Sequence, residues 1–280
     1  MKKKTEVPIS VENLFHSYGR KKIYQGLNFQ VEKGSVFGLL GKNGVGKSTL
    51  INILMGYLHP DQGSCLVLGN PSHNIPPDTR KRIALLYEGF ISYDFMGIAE
   101  VEAFFSAFYP SWKREVFYEL VSFMDLDHKQ KLSTLSFGQK SQVILGLIFA
   151  QDADLLILDD YSMGLDAGYR HLFMDYLKAY LHGTDKTVLI TSHIMGELET
   201  LVDEILILDR TMPVYQGEMK NFCENFNCFA AEGTVPEKIP GVVRQERLLG
   251  ETRLFSFSSC EELERELRMP LREIPISFEE

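Results

Sequence analysis

The pattern of hydrophobic and polar positions changes twice along the chain. Near the start, "ISVENLFHSY" (residues 9–18) and "IYQGLNFQVEKG" (23–34) alternate between the two classes, the period of half-buried antiparallel strands. The next run, "SVFGLLG" (35–41), is almost wholly apolar and leads straight into a glycine-rich turn. In "GKSTLINILMGYL" (46–58) the apolar residues recur at helical spacing, and Pro60 and Gly63 in "HPDQG" close that helix. From Ile98 to Met124 the pattern is again helical and rich in aromatics, with Phe104, Phe105, Phe108, Tyr109, Trp112 and Phe117, which suggests an inserted helical subdomain.

After Ala150 short apolar runs alternate with helical ones. "LLILDD" (155–160), "TVLITSH" (187–193) and "EILILDR" (204–210) read as buried strands, with helical patterns in "AGYRHLFMDYLKAYL" (167–181) and "MGELETLV" (195–202). Strands and helices in this order specify a parallel sheet. Beyond about Asn221 the character shifts to two or three short strands and one helix, a small α+β appendage. The expected organisation is therefore a main domain over residues 1–220, with residues 90–150 as its helical insertion, and an appendage over 221–280.

Composition narrows the function classes. The 280 residues carry a net charge of −9, which argues against a nucleic-acid-binding face. Lys2 to Lys4 are a short basic tail. No start of the secretory type and no 18-residue apolar span is visible, so a cytoplasmic protein is expected. The four cysteines lack a CxxC spacing and read as reduced thiols, and Cys223 with Cys228 lacks the two further ligands of a tetrahedral zinc site.

The chemistry is concentrated in two motifs. "GKNGVGKST", Gly41 to Thr49, has the spacing of a phosphate-binding loop and the strand, loop and helix context it needs. Gly41, Asn43, Gly44 and Gly46 let backbone N–H groups turn inward around a phosphate, and the helix N-terminus adds partial positive charge. Lys47 is placed to reach the β- and γ-phosphates, and the Ser48 hydroxyl, followed by Thr49, to ligate Mg²⁺. The adjacent carboxylates Asp159 and Asp160 end a buried strand, at the sheet edge where α/β folds bind ligands. Asp159 suits the magnesium role, through water, and Asp160 is left to orient or deprotonate an attacking water.

Between these motifs lies "LSFGQ", Leu135 to Gln139, and here the chain resembles the ABC-type ATPases. Ser136, Gly138 and Gln139 match the LSGGQ signature, with Phe137 in place of a glycine. The resemblance runs in order over about residues 8 to 217. It implies a P-loop NTPase fold of class α/β, with a mixed core sheet, an antiparallel β subdomain and the helical insertion. It also implies that Tyr18 stacks on adenine, that "SMGLDAG" holds the D-loop acid Asp166, and that His193 contacts the γ-phosphate. Two positions depart from the pattern. Glu88 stands where the family has the Q-loop glutamine, still able to touch Mg²⁺ or water. Asp160 stands where the family has its catalytic glutamate, with Tyr161 in place of the following proline. An acid shorter by one methylene reaches water less well, and misplacement of about 1 Å can cost about 100-fold in rate.

The resemblance further implies ATP and Mg²⁺ as ligands and a head-to-tail dimer, homo- or heterodimeric, glued by ATP through the signature. The partner is a separate multi-span permease, which would hold the chain on the inner face of the membrane. The aromatic segment "EGFISYDFMGIAEVEAFFSAFYPSW" (88–112) corresponds to the region that receives the permease. Export is the expected direction. Two other readings stay open: a non-transport ABC ATPase, and a nucleotide sensor that hardly hydrolyses.

Overall fold

A computed structural model describes residues 7–87, 93–161, 167–192, 196, 198–209, 211–233, 235–248 and 250–276. The polar and apolar alternation at the start produces the first sheet. Its strands are β1 (Ile9–Tyr18), β2 (Lys21–Val31), β4 (Gln62–Val67) and the short β5 (Asn70–Pro71), in the antiparallel order β2-β1-β4-β5. Their inward side chains, such as Ile9, Leu14, Leu27 and Val67, are fully buried.

The wholly apolar runs form the central sheet. β3 (Val36–Leu40), β6 (Ile83–Leu86), β7 (Leu155–Leu158), β8 (Thr187–Ser192), β9 (Glu204–Asp209) and β10 (Met212–Glu218) stand in the order β10-β9-β3-β8-β7-β6. Five strands are parallel and β10 pairs antiparallel to β9 at one edge. Strands β3, β7 and β8 are buried at every position, as expected where both faces are covered. One face packs on the first sheet and on α1 (Lys47–Leu54). The other packs on α5 (Phe137–Ala150) and α6 (Ala167–Leu181).

Helix α5 has a second neighbour, which explains why it is apolar on nearly all sides. Leu145, Ile148 and Phe149 join the sheet core, whereas Val143, Leu147 and Ala150 join a separate core with α3 (Ile98–Ser106) and α4 (Arg114–Ser122). Within this helical part the buried Glu102 carboxylate accepts from Trp112 Nε1 at 2.8 Å and from Arg114 Nη2 at 2.9 Å. Of the aromatics singled out in the sequence, Phe117 is fully buried while Phe104 and Phe108 are exposed.

The C-terminal part holds four strands rather than two or three. They are β11 (Asn227–Glu232), β12 (Val242–Leu248), β13 (Glu251–Ser256) and β14 (Leu271–Ile274), in the antiparallel order β12-β13-β11-β14. Helix α8 (Cys260–Leu267) covers one face, burying Leu263 against Phe229 and Leu254. Helix α7 (Met219–Asn225) joins β10 to this sheet, with Phe222 stacked on Phe226 at 4.7 Å, and Tyr215 of β10 stacks directly on Phe257, just past β13, at 5.2 Å.

Strand β3 leaves the antiparallel alternation that precedes it and lies in the central sheet between β9 and β8. Strands β4 and β6 and the one-turn α2 (Pro77–Arg80) arise where no periodic signal stood out. Of the helical pattern over 195–202, the described residues Leu198 to Leu201 form hydrogen-bonded turns, with Val202 N–H donating to the Leu198 carbonyl at 2.9 Å.

Candidate functional site

Strand β3 ends at Leu40 and the chain turns immediately into the glycine-rich loop. Gly41 and Gly46 adopt φ of 152° and 121°, which L side chains rarely take. Space forbids a side chain there as well: a Cβ on Gly41 would lie 2.7 Å from the Leu208 carbonyl oxygen, and one on Gly46 would lie 2.8 Å from the Tyr24 hydroxyl. Helix α1 then begins at Lys47, whose buried ammonium donates to the Gly41 carbonyl at 2.6 Å. The Tyr24 hydroxyl, from β2, donates to the Gly46 carbonyl. Burial pushes the Tyr24 phenol well above its ordinary range, so it remains a donor at any physiological pH.

The two acids emerge one strand away. β7 pairs with β8 up to Leu158 opposite Ile190, so the next residues, Asp159 and Thr191, are neighbours at the same depth. Asp159 is 1% exposed, and its backbone N–H donates to the Leu86 carbonyl at 2.8 Å. The Thr191 hydroxyl donates to Asp159 Oδ1 at 2.8 Å and accepts from the Asp160 N–H at 2.9 Å. Asp160 itself is in the left-handed region, φ 46°, which aspartate tolerates better than most residues. Tyr161 is buried and stacks on Phe173 of α6 at 4.9 Å.

One cleft of about 360 Å³ gathers most of the expected residues: Tyr18, Asn43, Gly44, Gly46, Lys47, Ser48, Thr49, Asp159 and Asp160 all line it. Gly41 shapes the loop from behind. Tyr18 is half exposed at the mouth, its ring edge-on to His16 at 4.9 Å. Two lining residues escaped the sequence reading, Ile23 and Lys21. Lys21 pairs with Tyr18 across the β1–β2 hairpin, and the local basic run "RKKIY" was the available signal. Thr191 escaped it too, although a polar residue interrupting an apolar strand at the depth of the acids marks it.

The signature residues lie elsewhere. Ser136 caps α5: its Oγ accepts from the Gln139 N–H at 3.2 Å while Gln139 Oε1 accepts from the Ser136 N–H at 2.9 Å. Gly138 faces the Tyr169 ring, and Phe137 is half exposed. None of these residues lines the cleft. Glu88, Asp166 and His193 fall outside the described residues. A groove of about 690 Å³ opens between the sheet and the helical part, lined by Leu85, Tyr87, Tyr93, Phe105, Tyr109 and Ile144 among others.

A phosphate-binding loop and paired acids in one cleft, set on a mostly parallel sheet, define a P-loop nucleoside triphosphatase. A sequence profile for the ABC transporter family matches residues 24–162. The chain is 33% identical to a Nod factor export ATP-binding protein I of Rhizobium meliloti (strain 1021), over 91% of this chain and 79% of that protein. A protein of the same name from Burkholderia orbicola (strain AU 1054) is 32% identical over 85% of this chain and 80% of its own length. Among solved structures, an ATP-binding subunit of an ABC transporter superposes with a TM-score of 0.68 at 21% identity, over 77% of this chain and 92% of that one. The cbiO1 protein of Clostridium perfringens superposes with a TM-score of 0.63 at 24% identity, over 78% of this chain and 91% of that one. This chain belongs to the ABC transporter family, as one of its ATP-binding proteins. Members of this class bind and hydrolyse ATP, dimerise and work with membrane permeases. Among the described residues no helix is long and apolar enough to cross a membrane.

Proposed function

We propose that this chain binds and hydrolyses Mg²⁺-ATP to drive an exporter, with its own cleft and the signature of a second subunit closing on one nucleotide. The observation that carries the reading is the convergence of Lys47, Ser48, Asp159 and Asp160 on a single cleft. Lys47 holds the β- and γ-phosphates, and the loop amides with the α1 N-terminus add positive potential. Tyr18 offers its exposed ring to the adenine. A hydroxyl and a carboxylate are hard oxygen donors of the kind Mg²⁺ takes, so Ser48 and Asp159 fit that ion. Bound there, Mg²⁺ would neutralise phosphate charge. Asp160 orients water and accepts its proton; Glu88 and His193, by resemblance, border the γ-phosphate.

Ser136, at the start of the 14-residue α5, presents a helix N-terminus to the nucleotide of the partner subunit, with Gly138 and Gln139 in the first turn; Asp166, by resemblance, is the D-loop acid at the same interface. In this reading residues 1–220 are the motor and 221–280 an appendage. The aromatic groove takes a permease segment, which holds the chain peripherally at the inner face of the membrane. Export is supported by relatives named for Nod factor export. The acidic charge offers nothing to nucleic acid.

ATP-dependent dimerisation tests this most simply. The D160N protein should elute as a dimer with Mg²⁺-ATP and as a monomer with Mg²⁺-ADP, and S136R should elute as a monomer in both. A dimer that forms regardless of nucleotide, or persists in S136R, would contradict the proposed closure.

A further inference from the structure

The two acids of the cleft are tied together by one hydroxyl. Thr191 Oγ accepts the Asp160 N–H at 2.9 Å and lies 2.8 Å from Asp159 Oδ1. A hydroxyl carries a single proton. Since the Asp160 amide supplies its own, the Thr191 proton goes to Asp159. The carboxylate is thereby held to β8 through Oδ1, and the Asp160 backbone is held in its left-handed turn, φ 46°. Thr191 is fully buried, and its neighbour on β3 is Leu39. The bond to Asp159 is buried and the one from Asp160 is part-buried.

We propose that Thr191 is the positioning residue that sets Asp159 for Mg²⁺ and Asp160 for water as a single rigid pair. The proposal rests on the two-acid reading given above. A residue in the left-handed region redirects its side chain relative to the strand that precedes it. The Thr191 bond therefore fixes where the Asp160 carboxylate emerges, and the same oxygen fixes the rotation of Asp159. Groups behind a metal ligand commonly change metal affinity or activity by about 10- to 100-fold when removed. The shortness of Asp160 makes that control matter more, because a short acid has less freedom to recover a misplaced oxygen.

Valine copies the shape of threonine and makes neither bond; serine makes both. The test compares T191V and T191S with the wild-type protein, beside K47A and D160N. Two readouts are taken: steady-state ATP hydrolysis, and binding of a fluorescent ATP analogue titrated with MgCl₂ from an EDTA baseline. T191V should bind the analogue in EDTA as the wild type does, require about 10-fold more Mg²⁺ for its effect, and turn over at least about 10-fold more slowly. T191S should stay within about threefold of wild type in both, as expected when the bonding oxygen is kept. Should T191V fold poorly, T191A against T191S makes the same comparison. Wild-type Mg²⁺ dependence in T191V would overturn the proposal, since the hydroxyl would then do nothing, and so would equal impairment of T191V and T191S, since keeping the bonding oxygen would then bring no advantage. Undiminished hydrolysis in D160N would instead defeat the two-acid reading and the Asp160 half of this one, and the Mg²⁺ titration of T191V would decide the Asp159 half.

Discussion

The ammonium of Lys47 donates to the carbonyl of Gly41 at 2.6 Å, bridging the first and last turns of the glycine-rich loop. The lysine thus has two jobs, fixing the loop and meeting phosphate charge. K47A should lose at least about 100-fold in affinity for Mg²⁺-ATP, since charge-assisted contacts to phosphate vanish with loop order. Equilibrium titration with a fluorescent ATP analogue measures this, and wild-type affinity in K47A would place the nucleotide elsewhere.

Tyr24 supports the same loop from below, its hydroxyl donating to the Gly46 carbonyl. The Leu50 N–H also donates to that carbonyl, at 2.9 Å, so the oxygen keeps a partner when the phenol is removed. Y24F should lower stability by about 1 kcal/mol and weaken ATP binding several-fold. Denaturant unfolding and nucleotide titration check the two effects separately, and a stability loss without any change in binding would confine Tyr24 to the core.

Lengthening the acid tests whether the site is built around aspartate. D160E should raise turnover while ATP affinity stays within about twofold, because the longer side chain recovers reach toward water. The left-handed backbone at this position, φ 46°, suits glutamate less well, at a cost of about 1 kcal/mol or less in stability. Steady-state kinetics with thermal melts separate these effects. Slower turnover in D160E would show that the Thr191-held turn is shaped for the shorter acid.

Cys65, on β4 and buried in the core, carries a thiol that burial pushes from 9.0 up to about 11. Above pH 9 the unfolded chain sheds this proton while the folded chain keeps it. Stability is therefore fully present below pH 9 and falls as pH rises toward 11. C65V should flatten that part of the stability curve, as read from denaturant midpoints between pH 8 and 11. An identical slope in the variant would assign the alkaline loss to other groups.

The architecture was legible where the pattern had one cause. Short apolar runs such as "LLIL" and "TVLI", bounded by polar residues, read as strands covered on both faces, and they form β7 and β8. The loop motif likewise carried its own geometry, since Gly41 and Gly46 leave no space for a side chain. Pattern failed where neighbours decide. Strand β6 is four residues long and exists because β7 pairs beside it, and the fourth strand of the C-terminal sheet, β14, exists through its register with β11. Thr191 shows in the sequence only as a polar residue in an apolar strand; its partner is invisible there, since Asp159 lies one strand over and 32 residues away along the chain.

Steady-state hydrolysis by the purified chain with Mg²⁺ decides whether this cleft hydrolyses ATP with Asp160 as its acid. Wild-type turnover that is lost in both K47A and D160N is the predicted result. Turnover in D160N equal to wild type, or none in the wild type above that of K47A, would contradict it.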